Sequence, residues 1–248
     1  MSDLVGFRYP NAPIAEAVLE VRISELGEAD FAAVMRLVDA QYPRRDETAF
    51  IGAEIESGPL GVATRATRTL NGVRLASDDG LQIVQLRNNG FAFSRLAPYE
   101  DWGTFYAEAR RLWFLYLDSI SDSVEPTRIA LRFINQIAVP AGPVDIDDYL
   151  RTRPEISEDI PNATSGYFLS LDIELPMYEA SVRITETVLG PNEEDQRTRL
   201  VLDIDVFREH IPSAFSADEM DAIFAKLRNA KNLVFEASIT DNARSLFR

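Results

Sequence analysis

The chain has 248 residues, 46% hydrophobic and 10% aromatic, enough for a substantial core and too apolar for wholesale disorder. Its formal charge of −15 argues against broad binding to nucleic acid or anionic membranes and suits a basic partner. It contains no cysteine, which excludes disulfides, thiolate chemistry and cysteine-ligated zinc; no apolar run approaches the roughly 20 residues that span a bilayer, and MSDLVGFRYPNAP lacks the regions of a secretory signal, so the expectation is a cytoplasmic protein.

The first element is a strand over 14–24. Ala15, Ala17, Leu19, Val21 and Ile23 alternate with Glu16, Glu20 and Arg22, a period of two. A helix is predicted at about 29–42, with Phe31, Val34, Met35 and Val38 as its apolar stripe and Pro43 as its stop. A meander follows, with strands near 49–57, 61–70, 73–77, 81–87 and 91–95. SGPLG, NG, DDG and NNG separate them, and Asn-Gly and Asp-Gly favour tight turns that need positive φ. A long helix at about 100–120 carries Trp102, Phe105, Tyr106, Ala109, Leu112, Trp113, Tyr116 and Leu117 at spacings of three and four.

The second part repeats that order. A strand over 127–139 has Ile129, Leu131, Phe133, Ile137 and Val139 on one face, with Asn135 among them, and Arg128, Arg132 and Gln136 on the other. A short helix from Asp145 to about Arg153, strands near 165–175, 178–189 and 198–208, a helix at 217–237 and a last helix at 241–247, capped by Thr240 or Asp241, complete the chain. Aligning Glu16 with Arg128 also aligns Leu19 with Leu131 and Glu20 with Arg132.

The fold expected is α+β, in two related halves of strand, helix, antiparallel meander and long helix, 1–122 and 123–248, packed into one compact body. A single large sheet gripping both helices is the alternative. In the two-half reading Glu16 and Glu20 meet Arg128 and Arg132 across the junction, where the planar guanidinium binds carboxylate bidentately. Asn135 is then a satisfied buried amide or marks a β-bulge. The competing reading has Arg128, Arg132 and Gln136 lining a cleft for a small anionic ligand.

Three stretches, NAPIAEAVLEVR, RIALRFINQI and FEASITDNARSLF, with YEDW before the long helix, resemble a sporadically distributed, uncharacterised bacterial protein family. The resemblance spans most of the chain and implies no catalytic residues, metal or cofactor. Sporadic distribution resembles that of toxin–antitoxin and phage-defence genes.

The remaining chemistries are sparse. His210 is the only histidine, so paired-histidine metal sites are excluded and a Ser-His-Asp triad would have to be built around it. No GxxxxGK[ST] or GxGxxG loop is present. Asp145, Asp147 and Asp148 suit a divalent cation or, more simply, a helix N-terminus. Asp172, Glu174, Asp203 and Asp205 could form an acidic strip beside Arg183, the basis of a metal-dependent hydrolase or nuclease, or a solvated sheet face. Arg65, Arg68, Arg74, Arg87 and Arg95 make the first meander basic, which suits an anionic contact or pairing with Glu54 and Glu56. The functional expectation is a non-enzymatic interaction protein for a protein partner, with an anionic-ligand binder second and the metal-dependent enzyme third; a homodimer is compatible, membrane association is not expected, and nucleic acid is disfavoured.

Overall fold

The computed structural model describes residues 9–58, 61–121, 123–140, 145–152, 157, 159, 166–191, 196–209, 211 and 216–248, with the side chains of 50–69 outside the description. The alternation at 14–23 forms β1 (Ile14–Ile23), with Ala17, Leu19, Val21 and Ile23 buried. The other strands are β2 (Arg44–Gly58), β3 (Gly61–Ala76), β4 (Gln82–Arg87), β5 (Gly90–Leu96), β6 (Pro126–Ala138), β7 (Phe168–Leu175), β8 (Ala180–Leu189) and β9 (Arg199–Arg208). The helices are α1 (Glu28–Val34), α2 (Trp102–Asp118), α3 (Ala217–Ser238) and α4 (Asp241–Ser245). No helix among the described residues is long and apolar enough to cross a membrane.

The expected pair of half-domain sheets is not what forms. All nine strands join one sheet in the order β2-β3-β4-β5-β1-β6-β9-β8-β7, and sheet dominates the architecture. The two first-in-line strands become neighbours: Gln136 N donates to Pro13 O at 2.8 Å, and Ser24 N donates to Glu125 O at 2.9 Å, an antiparallel match. Two separate sheets would leave β1 and β6 each with a row of unpaired backbone groups along one edge, and joining them removes both edges.

By packing, the chain divides into two units. One holds Glu20–Ser94 and Asp101–Thr127. Its core is aromatic: Phe91 meets Trp113 at 5.8 Å and Phe93 stacks on Phe105 at 5.4 Å, so α2 buries the stripe its spacing defines. Asp101 caps α2 by accepting from Thr104 N at 3.0 Å. Here α1 is shorter than its pattern suggests. It ends at Val34, where Arg45 donates to the carbonyls of Met35 and Leu37, and Val38 is 76% exposed rather than inward.

Asn71-Gly72 corrects a second expectation. It is no hairpin turn but lies inside β3, which runs through both strands expected at 61–70 and 73–77. Thr48 pairs with Gly72 and Ala49 with Leu70, so Asn71 is an extra residue, a bulge. A Cβ on Gly72 would lie 2.3 Å from Leu86 O, so glycine here permits close approach of β4. Gly80, with φ of 73°, does turn DDG as expected.

The other unit holds the chain up to Leu19, Arg95–Glu100 and Arg128 onward. Ile129, Leu131 and Ile137 of β6 and Leu200, Leu202, Ile204 and Val206 of β9 form its core. Against β9 lies α3, begun by a Ser216–Glu219 capping box. Thr240 caps α4. The short helix expected over 145–153 is a single tight turn, Ile146–Asp148, within the described residues.

Candidate functional site

β6, β9, β8 and β7 present one face away from this core. Register places Arg132 opposite Asp205, Asp205 opposite Arg183, and Arg183 opposite Asp172, so charges alternate across four strands. Arg128 Nη2 donates to Asp205 Oδ2 at 2.6 Å, and its guanidinium lies 4.5 Å from the centre of the Phe207 ring. Arg132 grips Asp203 through two nitrogens, Nε to Oδ1 at 2.9 Å and Nη2 to Oδ2 at 2.5 Å. These bonds, with the charges of Asp203, Asp205 and Glu16, raise the Arg132 pKa against the opposing effect of burial. Arg183 grips Asp172 in the same way, at 2.7 and 2.8 Å, in solvent.

The sequence-derived site is therefore brought together in part. Arg128, at 12% side-chain exposure, is well covered, while Arg132, at 48%, is not. Each has a carboxylate partner on β9, Asp205 for Arg128 and Asp203 for Arg132. Glu16 acts on Arg132 through its charge, and Glu20 pairs with Arg22 at 3.1 Å and with Arg87 at 3.5 Å. Asn135 is buried at 2% and satisfied: Nδ2 donates to Leu202 O at 2.9 Å and Phe133 O at 3.2 Å. The β6–β9 register runs unbroken past it, so it marks no bulge there. The Gln136 side chain is exposed.

An anion aimed at Arg128 and Arg132 would have to compete with Asp205 and Asp203. The acidic strip is likewise crossed by arginines, and the described residues contain no group of three or more carboxylates or histidines placed to hold a metal. Asp145 Oδ1 accepts from Asp147 N at 3.1 Å, a turn cap. In the first meander Arg74 pairs with Asp46 at 3.6 Å, and Arg95 pairs with Glu100 at 3.3 Å. His210 and 192–195 lie outside the described residues, as do the side chains of Glu54, Glu56, Arg65 and Arg68.

Two titratable groups on the core side escaped sequence reasoning. Glu186 of β8 is fully buried, neither carboxylate oxygen has a hydrogen-bond partner among the described residues, and burial pushes its pKa up to about 7. The signal was present: ASVRITETVL puts Glu186 in the apolar register of Val182 and Ile184. Lys231 of α3 places Nζ 4.1 Å from the Phe133 ring centre, and burial lowers its pKa to about 8, helped by the charge of Arg228.

With this geometry in hand, the chain was compared with known proteins: no protein-family model matches it, and no curated protein matches it.

Proposed function

We propose that the chain is a non-enzymatic cytoplasmic interaction protein that binds a basic protein partner, in the manner of an antitoxin or phage-defence accessory. The supporting observation is the edge strand β7. Of the six large apolar side chains exposed among the described residues, four lie along it or beside its ends: Phe168, Ile173, Met177 and Leu189. β7 ends the sheet, so its outer backbone edge has no sheet partner among the described residues. Such an edge invites an added strand, with main-chain bonds for affinity and side-chain contacts for selection. The charge of −15 favours a basic strand over a second copy. The family resemblance supports the defence setting.

The test is the mass of the chain purified from its native host at native expression. A complex larger than the 27.8 kDa chain, lost on Ile173→Lys with the fold intact, is the expected result. A lone chain at native expression, or a complex indifferent to charge along β7, overturns the reading.

A further inference from the structure

Glu186 is opposite Leu169 of β7 on one side and Leu202 of β9 on the other, with Ile184 next on its own face. None of these side chains can donate a hydrogen bond. Tyr167 precedes β7, and the Thr187 hydroxyl donates to its carbonyl at 2.7 Å, which fixes the Tyr167 backbone beside β8. Alternation then puts the Tyr167 side chain on the Leu169 face, diagonal to Glu186 and within reach of a long side chain. Its hydroxyl is buried and also lacks a hydrogen-bond partner among the described residues. The two groups sense each other: the Glu186 charge adds to burial in pushing the Tyr167 pKa up to about 12.

Three oxygens, two of Glu186 and one of Tyr167, are thus buried on one face with no hydrogen-bond partner among the described residues. Buried polar groups in native proteins are nearly always hydrogen-bonded, and exceptions call for a missing partner. Water would satisfy the bonds but leave the ionised carboxylate, the form present above about pH 7, without a counter-charge. A hard divalent cation wants six or more oxygens, and a guanidinium carries five planar donors, more than are needed. A primary ammonium has three donors and one positive charge, which matches three acceptors and one carboxylate.

We propose that Glu186 and Tyr167 form a binding site, on the core side of β7 and β8, for the primary ammonium group of a small free amine. The inference is independent of the partner-binding role, which uses the outer edge of β7.

Methylammonium chloride is the probe, with tetramethylammonium chloride and sodium chloride at equal ionic strength as comparisons. The expected result is a saturable rise in Tm with methylammonium alone, since tetramethylammonium has the charge without the donors. Glu186→Gln keeps the shape and removes the charge, and should weaken methylammonium binding at least about tenfold. Tyr167→Phe removes one acceptor and should weaken it about threefold. Equal Tm shifts in the three salts, or wild-type affinity in Glu186→Gln, overturn the proposal. If Glu186→Gln does not fold, unchanged affinity in Tyr167→Phe overturns it alone.

Discussion

β8 carries a carboxylate on the core face of the sheet and β9 carries two on the outer face, and the two faces treat them in opposite ways. On the outer side Asp203, 9% exposed, is gripped by Arg132 through two nitrogens. On the core side Glu186, 0% exposed, lies opposite Leu169 of β7 and Leu202 of β9. Burial alone does not set the state of an acid. A covered carboxylate beside a guanidinium ties strands together, while one among leucines is held towards its neutral form.

Titration gives the sharpest test of that contrast. The Glu186 pKa in the folded chain, about 7, lies above its ordinary value of 4.5, so the native state binds the proton more tightly than the unfolded state does. The resulting stabilisation is complete below about pH 4.5, is lost as pH rises to about 7, and amounts to about 3 kcal/mol. Denaturant unfolding of wild type and Glu186→Gln, from about pH 4 to about pH 9, should show the two diverging by that amount as the wild type weakens. Parallel curves would remove the distinction between the faces.

The outer face should show a gradient set by cover. Arg128→Ala loses both the Asp205 bond and the stack on Phe207 at a site only 12% exposed, and should cost about 2 kcal/mol. Arg132→Ala breaks a better bidentate pair, yet one half open to water, and should cost about 1 kcal/mol. Arg183→Ala, in a pair exposed on both sides, should leave Tm unchanged. Urea midpoints for the three variants check the order. Equal losses at Arg128 and Arg183 would mean that cover does not grade these pairs.

Much of the local structure was legible in the sequence. Period-two alternation located β1, β6, β8 and β9, and three-and-four spacing located α2 and α3, because each buries one face. The strand partners were not legible. Arg128 and Arg132 alternate on β6 as Asp203 and Asp205 do on β9, but nothing local says that the last meander strand returns along the edge of β6 that β1 leaves open. Val38 misled because the helical stripe continues in sequence after Arg45 has taken the carbonyls that end α1. Asn135 was noticed as polar in an apolar register. Glu186 obeys the same rule but is harder to see, because Thr185 and Thr187 beside it make the stretch look evenly polar.

The bulge at Asn71 bears on which changes of length this chain tolerates. Before it, β3 pairs with β2 in one phase; after it, in another, and Val73 and Leu75 reach the core at 1% and 2% exposure only in the second phase. Deleting Asn71 would put residues before and after it into a single phase, turning one group to the wrong side. Lengthening at Gly80, a positive-φ turn with Asp78 and Asp79 before it, disturbs no such phase. Insertions and deletions should therefore accumulate at the DDG turn and be purged at NG, although both dipeptides advertise a loop to anyone reading the letters alone.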